Sequence, residues 1–427
     1  MSRSPTAIRR WQLAAYLLLN GGFFFFDTAM GLFDVATYGY FTRQHVPGYY
    51  FALDFVMVSV PMLLGGWLAH QLNRRFGVRT VIGLGYAIAT IGFVILFATG
   101  LYRIPLCLLI VSLLLGIVFS AILPALSRFI RDVFGAGKGA VLALKLDAVF
   151  MAVGMVAGVG FGTVWFGREG LAVFFPLASA CFALAGAVHV ITLFFPGVLR
   201  NYAGPATPAR WSAALAAMRR AETKWRSLML QPSLNMVIVP LMVGLPAYEA
   251  RRGAGLVPVI GVVAAPIIVL AGRRCGMLAG RLAAPEILLR AMVARRGAAL
   301  WPMGGFFILY GLAFLARPLP VIFLLVFAAH VMSNVVAGAV FYGVQTEFAE
   351  GETAAASALQ SQLSTFVWVI VALLATGVMA FLPPAATIGI AALGLIAAAV
   401  VLRGSGMTRV QSAPPPPISK QSGPLSK

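Results

Sequence analysis

Residues 63–69 read Leu63-Leu64-Gly65-Gly66-Trp67-Leu68-Ala69, and residues 277–283 read Met277-Leu278-Ala279-Gly280-Arg281-Leu282-Ala283. The two strings lie 214 positions apart, half of the 427-residue chain, and each closes an apolar run. Their matching place in each half reads as one membrane-embedded unit written twice. Two such units packed about a central cavity bind substrate at the half-to-half interface, near the middle of the bilayer.

Composition sets the class independently. Hydrophobic residues make up 61% of the chain and charged residues 10%, and the mean hydropathy is +0.94. That excludes a soluble globule and defines an integral membrane protein. A hydrocarbon layer about 30 Å thick takes roughly 20 apolar residues per helix. Twelve such runs are predicted, at 12–36, 48–70, 78–100, 104–129, 139–166, 171–196, 232–249, 255–281, 298–316, 318–343, 354–382 and 384–402. The expected fold class is an all-α membrane protein with twelve transmembrane helices in two pseudo-symmetric six-helix bundles, 12–196 and 232–403. Residues 1–11 precede them, 197–231 form a linker and 404–427 a tail. The first run has a basic lead but is too long for a signal-peptide core and lacks a clean small-residue cleavage site, so it reads as the first span.

The 32 Lys and Arg residues set the orientation. Twenty-five fall in segments on the side of the N-terminus and six on the other, and Lys145 lies inside a span. Basic residues concentrate on the cytoplasmic side, which places both termini there and requires an even number of spans. Arg273, Arg274 and Arg281 are counted with that cytoplasmic side. The net charge of +20 is therefore a topology signal with anionic lipid headgroups as its partner. No basic soluble face interleaved with aromatics exists for nucleic acid. The linker segment from Pro208 to Leu228 reads as a basic amphipathic helix at the membrane interface. The tail, with prolines at 414–417, reads as disordered.

At this point a resemblance emerges. The stretch Gly65-Gly66-Trp67-Leu68-Ala69-His70-Gln71-Leu72-Asn73-Arg74-Arg75 resembles the loop motif of the major facilitator superfamily, Gly-x-Leu-Ala-Asp-Arg-x-(Gly/Asp)-Arg-Arg. The resemblance implies a cytoplasmic gate loop at Gly66, His70, Asn73, Arg74 and Arg75. His70 replaces the motif's Asp and Asn73 its second Gly or Asp, so a lock at this loop is weaker, or pH-sensitive through His70. The stretch Phe119-Ser120-Ala121-Ile122-Leu123-Pro124-Ala125-Leu126-Ser127-Arg128, followed by Lys138-Gly139-Ala140, is similar to the helix 4–5 region of the bacterial macrolide-exporter and enterobactin-exporter group. That implies efflux from the bacterial cytoplasmic (inner) membrane. Gly154, Gly158 and Gly162 line one face of the fifth span. Their spacing is similar to the antiporter motif of drug-proton exporters, except at Val159 and Thr163, and helix packing explains them equally well.

Ionisable groups within the spans are the chemical candidates, since each costs about 2.5–3.5 kcal/mol at a helix centre on insertion scales. Asp27 and Asp34 are seven apart on the first span and share a face. Asp54 lies at a similar depth on the second. Desolvation and neighbouring carboxylates raise an acid's pKa in general, and a cluster of this kind can take up and release a proton near neutral pH. These three are the proton-coupling candidates. Lys145 and Asp147, two apart, point in different directions and need separate partners. With Asn334, Gln345, Gln360 and Gln362 they form the candidate cavity lining. Glu347, Glu350 and Glu352 form one acidic cytoplasmic loop. Four consecutive phenylalanines, Phe23 to Phe26, must point all around their helix.

Cys107, Cys181 and Cys275 lack metal or disulfide spacing, and no cofactor is expected. His189 and His330 inside spans read first as helix-helix hydrogen-bond partners, with a ligand-facing or proton-linked role as the alternative. No phosphate-binding Gly-Lys-(Ser/Thr) loop is present and no nucleophile-base set appears, so the chain does not read as an ATP-driven pump or an enzyme. The resulting expectation is a monomeric, proton-coupled exporter of a small drug-like molecule or siderophore. The alternatives are an importer of a sugar, peptide or organic acid on the same fold, and a non-transporting membrane receptor or assembly factor.

Overall fold

In the computed structural model the described residues are 10–64, 71–72, 75–134, 138–165, 171–192, 194, 222–257, 261–295, 297–348 and 350–403. Side chains at 10–12, 78–79, 123–145, 148, 171, 222–223, 254–257, 261–262, 345, 350–355 and 358 are left aside. The first half comprises α1 (Arg10–Arg43), α2 (Tyr49–Leu63), α3 (Val78–Ala98), α4 (Pro105–Phe134), α5 (Lys138–Trp165) and α6 (Phe174–Thr192). The second comprises α7 (Glu222–Ala250), a hairpin of β1 (Ala254–Val257) and β2 (Gly261–Ala264), α8 (Ala265–Ala283), α9 (Glu286–Ala294), α10 (Leu300–Leu315), α11 (Leu319–Glu347), α12 (Glu350–Phe381) and α13 (Thr387–Arg403).

Eight of these helices contain stretches long and apolar enough to cross a membrane, and Tyr49–Leu63, Val149–Trp165 and Leu300–Leu315 are shorter apolar helices. The twelfth is α8, whose 19 residues carry three arginines. The halves repeat their packing. Helix α1 lies against α5 and α6 as α7 lies against α12 and α13, and α2 lies against α4 as α8 lies against α11. The 214-residue offset carries the first residue of α8, Ala265, onto Phe51, near the start of α2.

Glycine seams hold two helices into their own halves. A β-carbon at Gly154 or Gly158 of α5 would overlap the Phe24 or Thr28 carbonyl of α1, and one at Gly162 would crowd Val35. In the second half Gly272, Gly276 and Gly280 of α8 meet the carbonyls of Phe323, Phe327 and Val331 on α11. Small residues allow this backbone approach, and dispersion along the seam supplies the attraction that hydrophobic burial cannot supply in lipid.

Three boundaries depart from the sequence expectation. Helix α7 starts at Glu222, ten residues before the predicted span. Pro232, Pro240 and Pro246 all lie inside it, and membrane helices tolerate such prolines when neighbours satisfy the freed backbone groups. The last part of the predicted interfacial helix therefore belongs to the second bundle: Arg226 donates to the Ala294 carbonyl (2.9 Å), Trp225 to that of Val401 (3.3 Å), and Leu228 is buried. Residues 208–221 lie outside the described residues. The first part of the predicted 255–281 span is instead the antiparallel hairpin, pairing Ala254 with Ala264 and Val257 with Gly261. Its β-branched content suits strands better than a helix. Finally, Glu347 ends α11 and Glu350 opens α12, so the predicted acidic loop is largely helical.

Both buried histidines join helices. His189 Nε2 lies 3.0 Å from the Leu19 carbonyl, so it donates there, and Nδ1 is left to accept from the Tyr86 hydroxyl at 2.6 Å. His330 Nε2 meets the Tyr310 hydroxyl at 2.8 Å.

Candidate functional site

The halves meet where α5 packs on α8 and α2 on α12, with further contacts of α8 to α1 and α7 to α2. At one end the α1–α2 turn closes on the second half, since a β-carbon at Gly48 would come within 3.3 Å of Ala247 and Pro384. Between them lies a cavity of about 270 Å³. Its first wall is Met30, Asp34 and Tyr38 of α1 with Asp54, Phe55, Val58, Ser59 and Met62 of α2. The second is Asn235 of α7, Arg273 and Arg274 of α8, and Ser364, Thr365 and Trp368 of α12. Eleven of these fourteen positions follow three- or four-residue spacing along one face of their helix, so the walls are set by helix rotation rather than by loops.

Arg274 donates to Asp34 Oδ2 at 2.6 Å across the interface. Arg273, beside it, lies over the Phe55 ring at 4.9 Å, and Phe55 stacks on Trp368 with centroids 5.4 Å apart and planes 11° apart. Asp54 accepts a 2.5 Å hydrogen bond from Ser112 of α4. Asn235 donates to Ser364 Oγ at 2.9 Å, tying α7 to α12 along the second wall.

The Asp34–Arg274 pair is one rung of a longer pattern. Asp27 and Asp34 are seven residues apart on α1, and Arg274 and Arg281 are seven apart on α8. The helices run in opposite directions, so Asp34 meets Arg274 while Asp27 shares its electrostatic surroundings with Arg281, Arg274 and Asp147. Asp27 is buried outside the cavity lining, and its Oδ2 has no hydrogen-bond partner among the described residues. Gly31, between the two acids, admits the α5 backbone at Met155 and Val159.

Of the residues singled out in the sequence, Asp34 and Asp54 line the cavity. Asp27 of α1 and Asp147 of α5 are outside the lining. Asn334 is outside the lining: it packs on Gly280 and donates to the His330 carbonyl at 3.0 Å. Gln360 and Gln362 precede the lining stretch of α12, and Gln362 Oε1 is buried without a partner among the described residues. Lys145 and Gln345 belong to α5 and α11, with side chains outside the described set. Gly66, His70, Asn73 and Arg74 lie outside the described residues, and Arg75 is exposed over Phe76. None of Phe23 to Phe26 reaches the lining; Phe26 is buried against Tyr86, Phe119 and Phe182.

Sequence reasoning missed Arg273, Arg274, Asn235, Phe55 and Trp368, and also Glu249, fully buried and 3.1 Å from Arg252 at the end of α7. The assignment of Arg273 and Arg274 to the cytoplasmic side is corrected here: both sit in mid-helix, well inside α8. The seven-residue match between Asp27/Asp34 and Arg274/Arg281 was the signal that could have found them.

Solved structures share this architecture. A mutant of the nucleoside transporter NupG is similar with a TM-score of 0.67 at 12% identity, covering 91% of this chain and 99% of that one. An auto-inhibited POT family peptide transporter gives 0.64 at 15%, covering 94% and 99%. A variant of the E. coli fucose:proton symporter FucP gives 0.57 at 16%, covering 93% and 100%. No protein-family profile matches the sequence, and no curated protein matches it. The fold is thereby defined as the all-α major facilitator fold, twelve membrane helices in two bundles.

Proposed function

We propose that the chain is a secondary transporter that carries a small molecule through the central cavity by alternating rocking of its halves, coupled to protons at Asp34, Asp54 and Asp27. The observation that carries this reading is the Asp34–Arg274 pair, 2.6 Å long, at the cavity wall between the two bundles. Halves that rock apart must break it. Protonating Asp34 removes the attraction, and a proton thereby becomes a key to the movement. The fold is one whose solved examples bear the names of nucleoside, peptide and fucose:proton transporters, which supports transport as the class.

Export of a drug-like compound or siderophore is the finer reading, supported by the helix 4–5 resemblance. Uptake with a co-moving proton is the second, favoured by the symporter of the same fold. Proteoliposomes with a trapped pH dye test both. Candidate compounds added outside should move protons in the wild type and lose that movement in Asp34→Asn, with Asp54→Asn and Asp27→Asn reporting their own shares. Lumenal acidification means symport and alkalinisation means exchange. A full set of candidates that enters without any proton signal removes proton coupling, and one that never enters removes transport.

A further inference from the structure

We infer that the cavity binds an organic monoanion with a flat ring, its acidic group held by Arg273 and its ring placed on the Phe55 and Trp368 shelf. This rests on the transporter reading and adds the ligand class. Arg273 is only 8% exposed and lines the cavity. Among the described residues its contact is the Phe55 ring, no carboxylate stands within ion-pair distance although Asp34 and Asp54 act on it from further off, and its Nε has no hydrogen-bond partner. A buried cation without a directly paired counter-ion is costly, and a cavity beside it offers the place for one.

Among the described residues lining the cavity, the buried side-chain atoms without partners are Arg273 Nε, Arg274 Nε and Trp368 Nε1. All three are N–H donors. The lining carboxylates are already engaged, Asp34 by Arg274 and Asp54 by Ser112. The three unpartnered N–H atoms are enclosed by protein; the donors left facing the cavity are the terminal N–H groups of Arg273, and a carboxylate brings the acceptors they need. The guanidinium fork suits such a planar group better than an ammonium would. The stacked pair supplies an aromatic face.

The test is equilibrium binding to the purified full-length protein in nanodiscs, followed by thermal stabilisation. The probes are benzoate, 2-naphthoate, cyclohexanecarboxylate, benzamide and benzylamine. The carboxylates should bind at least about tenfold more tightly than the amide or amine, the difference one charge-assisted hydrogen bond supplies. Arg273→Gln should abolish 2-naphthoate binding, Arg273→Lys should weaken it, and Phe55→Leu should erase the preference for 2-naphthoate over cyclohexanecarboxylate. If Arg273→Gln is not monodisperse, the lysine and leucine variants carry the test. Benzylamine or benzamide binding as well as benzoate, carboxylate binding unchanged in the Arg273 variants, or no saturable carboxylate binding would each overturn the inference. An amine that binds and moves protons in the proteoliposome assay would remove the anion site and leave the transporter standing.

Discussion

The two halves repeat each other in backbone and divide the charge between them. The first half brings Asp27, Asp34, Asp54 and Asp147 to the interface region, while the second brings Arg273, Arg274 and Arg281 on a single helix. The offset that aligns the repeats sets Arg281 against Trp67, and Arg273 against Ser59. The repeated packing thus accounts for the scaffold, and the residues that differ between the halves account for the chemistry. Neither half alone holds a complete site. Their seams differ as well: glycines of α5 seat that helix on α1, whereas glycines of α8 seat it on α11. Since α5 and α8 also touch one another, each interface helix is anchored backwards into its own bundle, an arrangement suited to halves that move as bodies.

The strongest way to break this comparison is to remove its charge complementarity. Asp34→Asn and Arg274→Gln each strand one member of a pair whose side chains are 16% and 14% exposed. A charge-assisted hydrogen bond at a site that is mostly but not fully buried is worth about 1.5–3 kcal/mol. Substrate-driven flux in proteoliposomes should fall by more than about tenfold in either variant, and the exchange Asp34→Arg with Arg274→Asp should recover part of it. Equal losses in singles and exchange, with no recovery, would mean that the position of each group matters and the pairing does not.

Next in size is the effect on the seams. Gly158→Leu pushes a side chain into the Thr28 carbonyl and Gly276→Leu into that of Phe327, whereas Gly160 and Gly304 have open space about them. Overpacking costs about 1–3 kcal/mol. Melting temperature in detergent should drop for the first two and stay near wild type for Gly160→Leu and Gly304→Leu. A drop in only one half would show that the seams are unequal in strength.

A smaller effect belongs to the second rung. Arg281 lies beside Asp27 and Asp147 and outside the cavity lining, so Arg281→Gln should reduce proton-linked flux less than Arg274→Gln. A larger loss at Arg281 would shift the coupling path from Asp34 towards Asp27 and Asp147.

Much of this was legible in the sequence, and the failures have physical causes. Apolar runs of about 20 residues announce spans, and carboxylates such as Asp34 and Asp54 stand out within them because burial demands a reason. Arg273 and Arg274 were hidden by the same physics that sets topology: basic residues gather at cytoplasmic helix ends, so two arginines at the end of an apolar run read as such an end. The hairpin before α8 shifted the helix along the sequence and put them at mid-helix. Phe55 and Trp368 could not be distinguished from lipid-facing aromatics, since only the rotation of their helices places them at the cavity. Pro232 disguised the true start of α7, because a proline suggests a first turn more readily than an interior one.

The finest distinction between the halves lies in their buried histidines. Tyr86→Phe leaves His189 Nδ1 without its 2.6 Å partner while Nε2 stays committed to Leu19. Tyr310→Phe takes the 2.8 Å partner from His330, but Ser333 Oγ already stands 3.4 Å from the other ring nitrogen. The ring contacts of Tyr86 with Phe26 and of Tyr310 with Phe306 survive in phenylalanine, so the substitutions isolate the hydroxyls. Hydrogen bonds between membrane helices are worth about 0.6 kcal/mol on average, and a fully orphaned buried acceptor somewhat more. The loss should therefore be greater for Tyr86→Phe than for Tyr310→Phe, with both shifts within about 2 °C of wild type. Identical shifts would mean that the histidines are held by packing alone, and that the two halves, so different in charge at the interface, are alike in how they bury their remaining polar groups.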